Sequence, residues 1–181
     1  SRPNIIFLMP DQHRAQTVGC MGDEQARTPH IDKLAADGIR FTQAYCGSTV
    51  CAPSRCVLMT GLHGGHARVR GNMEAFKPGA ALDDADVTLA EVLHDAGYTT
   101  ALVGKWGLGE ASSNTQGLPR RQALDSFYGY LKHGHAHNYY TDHLWPNEAI
   151  EKLPNVISKN PAHKNNVAEK KVQYSHDLFA E

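Results

Sequence analysis

Apolar and polar positions fall in blocks along this chain, and the blocks predict alternating strands and helices. Asn4 to Met9 is apolar on both faces of an extended chain, which reads as a fully buried strand stopped by Pro10. Thr28-Pro29 predicts a helix start, with Thr28 as N-cap and Pro29 at the first helical position. Ile31, Leu34 and Ala35 form its apolar stripe and Gly38 ends it. Ile39 to Tyr45 reads as a second strand, and Pro53 to Met59 begins another helix. Gly61 to Asp86 is a long loop rich in Gly and His, a kind of segment that usually carries function. Thr88-Leu89-Ala90-Glu91 has the spacing of a capping box, so a helix runs from there to about Ala96 with Gly97 as its C-cap. Tyr98 to Val103 is a third strand, broken by Gly104.

This order predicts an α/β fold, a mostly parallel central sheet flanked by helices. In such sheets the active site lies beyond the C-terminal ends of the strands. Asp11 and Lys105 sit just past two predicted strand ends. The last third changes character. Residues 155–166 are polar and broken by Pro161, a loop, while Asn166 to Glu181 reads as a helix burying Val167, Val172, Leu178 and Phe179. No stop signal follows Glu181, so the expectation is a chain that breaks off inside a helix.

Bulk properties narrow the function classes. With 181 residues the chain is one domain or part of one, long enough for a sizeable core. A formal net charge of −1 gives no global case for nucleic acid or anionic membranes. The longest apolar run, Ile5 to Met9, is far short of the roughly 18 residues of a membrane span. The 4 cysteines, Cys20, Cys46, Cys51 and Cys56, form neither a disulfide framework nor a Cys-x-x-Cys zinc spacing.

The chemistry concentrates at Cys51-Ala52-Pro53-Ser54-Arg55. Pro53 suits the first turn of a helix, where its missing N–H costs nothing. Arg55 then lies about one turn from Cys51 on the same side. A nucleophile there feels the positive end of the helix dipole and a full guanidinium charge, an environment for an anionic substrate. Asp11-Gln12, a carboxylate beside an amide oxygen, suits a hard cation such as Ca²⁺. The bland readings are a structural cysteine and a turn-capping aspartate. The remaining cysteines have no place in this chemistry and read as small core residues.

Cys51-x-Pro53-Ser54-Arg55 followed by Thr60-Gly61 resembles the type I sulfatase signature, and Gly104-Lys105-Trp106-Gly107-Leu108-Gly109 resembles the second signature of that family. Asp11-Gln12 after its apolar strand matches a third landmark, so the resemblance runs from Asn4 to about Glu181. It implies an alkaline-phosphatase-like sandwich and hydrolysis of a sulfate monoester, aryl or carbohydrate. Cys51 would be converted to formylglycine by a formylglycine-generating or other sulfatase-maturing enzyme. Hydrated formylglycine would attack sulfur through one oxygen and expel the alcohol, and loss of a proton from its second hydroxyl would then expel sulfate. The metal would be Ca²⁺, with Mg²⁺ as an alternative, held by Asp11, Gln12 and Cys51. Arg55 would hold the formylglycine and Lys105 a sulfate oxygen.

Most relatives carry His where this chain has Gly107. His135 and His137 are the candidates to replace it, in a segment that resembles the substrate entrance of a subset of relatives. His133, His135 and His137 alternate, so an extended strand would set them on one face, as a metal site or a polar loop. His63, His66, Arg68 and Arg70 form a basic cluster in which His63 and Arg68 read as solvated, while Arg70-Gly71-Asn72 looks family-like.

Relatives are longer and bring further metal ligands, a Lys and a His from beyond this endpoint. Residues 1–181 are therefore expected to be the N-terminal part of a single sulfatase catalytic domain, weakly active or inactive alone and with an exposed apolar flank. The expected partners are a sulfated small molecule or carbohydrate, the maturing enzyme and the rest of the same protein, with no nucleic acid and no membrane. The resemblance favours a periplasmic, secreted or lysosomal place over the cytoplasm. The alternatives are a phosphonate monoester or phosphodiester hydrolase of the same superfamily, and a non-catalytic module that kept the fold.

Overall fold

A computed structural model describes residues 2–72, 81–163 and 166–181. Residues 73–80 of the predicted loop and 164–165 of the predicted excursion lie outside these. The chain divides into two compact units, Ser1–Tyr45 and Cys46–Glu181. Among the described residues no helix is long and apolar enough to cross a membrane.

The first unit is built around α1, Pro29–Asp37, with Pro29 at its start and Thr28 before it as the sequence predicts. The Thr28 hydroxyl does not cap its own helix. It accepts from the Gly19 N–H at 2.9 Å and donates to Asp32 Oδ1 at 3.0 Å. The same Asp32 oxygen accepts from the Cys20 N–H at 2.7 Å, so the helix ties down the loop before it. The two strands expected here, Asn4–Met9 and Ile39–Tyr45, join no ladder. Ile6, Leu8, Ile39 and Phe41 are 75% exposed or more, and the Ile31–Leu34 stripe of α1 is exposed as well. The physical reason is direct: a strand apolar on both faces needs paired edges and two covering layers. Among the described residues neither segment has a strand partner.

The second unit opens with α2, Cys51–Thr60, closed by Gly61 in the left-handed region at φ 65°. Next comes α3, Leu89–Asp95, with both halves of its capping box formed between Thr88 and Glu91. It ends in a Schellman arrangement, Tyr98 N–H to the Leu93 carbonyl and Gly97 N–H to the His94 carbonyl. Four strands follow in one sheet of order β1-β2-β3-β4: Ala101–Lys105, Ser126–Tyr130, His143–Pro146 and Glu151–Lys152.

β1 and β2 run parallel, from Ala101 opposite Ser126 to Lys105 opposite Tyr130. β3 lies antiparallel to β2, and β4 antiparallel to β3. The sheet is therefore mixed, not mostly parallel as expected. Connection length explains it. The four-residue link 147–150 between β3 and β4 permits only an antiparallel return. Asn147 starts that link at φ 56°, its side chain accepting from the Phe127 N–H at 2.9 Å. The β1–β2 crossover uses two 3-10 turns, Thr115–Gly117 and Pro119–Gln122, in place of an α-helix.

Gly104 does not break β1. It sits inside the strand at φ +112°, paired with Gly129. A Cβ on Gly129 would come within 1.8 Å of the Gly104 oxygen, so this ladder requires glycine there.

One core gathers Ala52 and Cys56 of α2 with Ala90, Trp106, Leu108, Leu124, Phe127 and Leu131. A second gathers Tyr130, Leu144 and Leu153 under Leu178 and Phe179. The expected C-terminal helix is short. α4 covers only Ser175–Ala180, and Ala168–Lys170 forms β6 against β5, Val156–Ile157. Val167 and Val172 are exposed. Buried Asn155 explains the shortening. Its amide donates to the Thr141 and Gln173 carbonyls at 2.7 and 2.8 Å and accepts from the Val172 and Gln173 N–H groups at 2.8 and 2.9 Å. Backbone groups that a helix would use are thereby held by a side chain.

Candidate active site

α2 starts at Cys51 itself, two residues before the predicted start at Pro53, with Val50 extended as its N-cap. Val50 has no side-chain oxygen to offer the helix N-terminus. Asn72, twenty residues on, supplies it: its Oδ1 accepts from the Ala52 N–H at 2.9 Å. Cys51 is half-buried and Arg55 follows one turn later, also half-buried. Cys56 is fully buried, and burial pushes its thiol above the ordinary range, which fits the core role read from sequence. Cys46 departs from that reading: it is exposed, while Cys20 is half-buried.

The Arg55 Nη1 donates to the backbone oxygen of Lys105. Lys105 is the last residue of β1, so this one bond joins the cysteine helix to the strand end carrying the second signature. Trp106 anchors the exit from the strand. Its ring is buried, and its Nε1 donates to the Gly117 carbonyl at 2.7 Å. Two further backbone bonds, Trp106 N–H to Tyr130 O and Gly107 N–H to Leu131 O, both 2.9 Å, carry the β1–β2 ladder onward. Beyond them Lys132 pairs with Glu110, whose side chain is only 4% exposed.

This continuation brings His133 against Gly107. A Cβ on Gly107 would lie 3.4 Å from the His133 Cβ and 4.0 Å from the Arg55 Cδ. Gly107 itself sits at φ +79°, a conformation that disfavours a histidine in its place. His133 is half-buried. Burial first, then the Lys105 charge and His137, hold its imidazole below the ordinary range, so it is neutral at pH 7. Arg55, Lys105 and His133 thus converge on one locus with two cations and a neutral imidazole.

As neighbours of Gly107, the sequence pointed to His135 and His137 and not to His133. The register of the folded sheet sets this: Lys105 opposite Tyr130 places Gly107 opposite Lys132, next to His133. The three histidines do not share one extended face, because His135–His137 forms a 3-10 turn. His137 is exposed, its ring 6.4 Å from that of His133. His135 turns the other way. It is half-buried, its Nε2 meets the Thr141 hydroxyl, and its ring stacks on His143 at 4.3 Å. Burial, with the charge of His143, pushes its pKa down to about 4.

Asp11 and Gln12 belong to the first unit, in an exposed turn after Pro10. Gln12 is left-handed, at φ 53°, unusual for a residue other than glycine. In the basic cluster, His63 is exposed, as a solvated residue would be, whereas Arg68 is tied at 2.5 Å to Asp86, whose side chain is mostly buried.

Chemically, the second unit is an α/β protein presenting a cysteine at a helix start, with two cationic side chains near the end of β1. The chain belongs to the sulfatase family, whose profile matches residues 3–178. It is 36% identical over 141 residues to steryl-sulfatase of Homo sapiens, covering 71% of this chain and 24% of that protein. It is 40% identical over 111 residues to N-acetylgalactosamine-6-O-sulfatase of Bacteroides thetaiotaomicron, covering 60% of this chain and 21% of that one. The crystal structure of yidJ from Bacteroides fragilis superposes with a TM-score of 0.69 at 30% identity, covering 83% of this chain and 36% of the other. The chain therefore spans about a quarter of the length of the curated relatives it matches.

Proposed function

We propose that this chain is the nucleophile-bearing N-terminal part of a sulfuric ester hydrolase that cleaves an aryl or carbohydrate sulfate monoester through a formylglycine made from Cys51. The observation that carries this is the Arg55–Lys105 bond, which gathers both sequence signatures at one cationic locus. Family membership supports the ester class, and relatives named for an aryl group and for an amino sugar support both kinds of alcohol.

Each residue then has a role that follows from its chemistry. Cys51, at the start of α2 and in the field of Arg55, provides the nucleophile position. Arg55, fixed at one end by the Lys105 carbonyl, orients the group derived from Cys51. The Lys105 ammonium binds a sulfate oxygen as a compact charge. His133 faces the same locus as a neutral imidazole, able to accept a proton or donate a hydrogen bond without adding a third cation. Exposed His137 contacts the alcohol portion of the substrate. Asp11 and Gln12, in the first unit, offer adjacent hard oxygens, a donor set that fits Ca²⁺. When bound, such an ion would supply Lewis-acid polarisation.

The test uses the whole protein co-expressed with a maturing enzyme. Peptide mass spectrometry should find the Cys51 thiol converted to an aldehyde, and Cys51→Ala should abolish turnover of sulfate esters. Faster turnover of matched phosphonate esters would move the protein to the phosphonate hydrolases. An unmodified thiol from a competent host, without turnover, would make it a non-catalytic module.

A further inference from the structure

A second cluster lies outside the proposed ester site, where β3 begins beside the His135–His137 turn. One donor atom from each of His135, Asp142 and His143 lies within 4.8 Å of the other two. All three residues are half-buried. His143 Nδ1 is 2.6 Å from Asp142 Oδ1, and the His135 and His143 rings stack at 4.3 Å with a 28° tilt. In a tetrahedral zinc site the donors are about 3.3 Å apart and the centres of two ligating imidazoles about 5 Å apart. The cluster therefore approaches that arrangement, and shifts on the order of 1 Å would complete it.

The setting supports a ligand role. The buried Thr141 hydroxyl holds the His135 Nε2, the sort of polar partner that fixes ring orientation in metal sites. Leu144, the next residue of β3, is fully buried, so the backbone behind the ligands is anchored. Two imidazoles and one carboxylate suit zinc-like ions, not the oxygen cages of Ca²⁺ or Mg²⁺.

We propose that His135, Asp142 and His143 form a binding site for one divalent ion of the zinc class, with a fourth position left for water. The ion pins the start of β3 to the turn that carries His137. This site stands apart from the chemistry proposed for Cys51, and it holds or fails independently of that reading.

Cobalt(II) tests it. The purified protein, stripped with chelator, should take up one Co²⁺ per chain with the ligand-field absorption of a four-coordinate nitrogen–oxygen site, and Zn²⁺ should displace it. Asp142→Ala and His143→Gln should each weaken binding by more than about 100-fold, and Thr141→Val by about 10-fold. Circular dichroism without added ion identifies which variants fold. Unchanged affinity in a folded Asp142→Ala or His143→Gln protein overturns the proposal. So does a sulfur-to-cobalt charge-transfer band, which would place the ion on cysteine, and so does failure to saturate below millimolar Co²⁺. Should both ligand variants fail to fold, the spectrum and stoichiometry of the parent protein decide alone.

Discussion

In the first unit Ile6, Leu8, Leu34, Phe41 and Tyr45 are between 66% and 85% exposed, whereas in the second Trp106, Leu108, Phe127 and Leu144 are exposed by 2% or less. Both stretches are rich in apolar residues, so apolar content does not make the difference. Partner surfaces do. In the second unit β2 is paired on both edges, and α2 and α3 contribute to the core it shares. Each large side chain buried there stabilises by about 1.5–3 kcal/mol. In the first unit Val18 is the sole apolar side chain that is buried among the described residues.

Four measurements would break or sharpen this contrast. The largest effect belongs to Trp106→Ala, which removes a buried ring and its bond to the Gly117 carbonyl. It should lower the unfolding free energy of the second unit by about 3–5 kcal/mol in urea titrations, and a loss below about 1 kcal/mol would break the comparison.

A pH series comes next. The folded pKa of His135, about 4, lies below its ordinary 6.5. The unfolded chain binds this proton more readily, so the contribution is complete above about 6.5 and is lost as pH falls towards about 4. In chelator, the urea midpoint of the parent should fall across that window more steeply than that of His135→Gln.

Asn72→Ala is third. It removes the distant cap of α2 and should cost about 1 kcal/mol, with faster amide exchange at Ala52. Smallest is Leu34→Ala in the first unit, expected within about 0.5 kcal/mol of the parent. A loss of several kcal/mol there would mean that the α1 stripe is covered in solution.

Legibility followed the range of the interactions. The helix starts at Thr28 and Thr88 were readable because each is marked within four residues. The Cys51 helix was readable too, though two residues short, because its real cap is Asn72 and no local pattern announces a partner twenty residues away. The strand at Asn4–Met9 was a sound reading of its residues, but a strand exists only in a ladder. β2 and β3 went unread because Phe127-Tyr128-Gly129-Tyr130 and His143-Leu144-Trp145-Pro146 look like loop chemistry until paired. Of the candidate site, Cys51, Arg55 and Lys105 were visible as motifs. The place of His133 beside Gly107 depends on the β1–β2 register, which is a property of the folded chain.

Asn155 also exposes the fold to covalent ageing. Its amide spends two donors on the Thr141 and Gln173 carbonyls while its oxygen serves two N–H groups. Deamidation to aspartate would exchange a donor for an acceptor and leave the volume almost unchanged. Two carbonyls would then face a carboxylate instead of an N–H. One hydrolysed amide, invisible to any packing criterion, would unclip the segment before α4 and turn a slow chemical clock into a structural event.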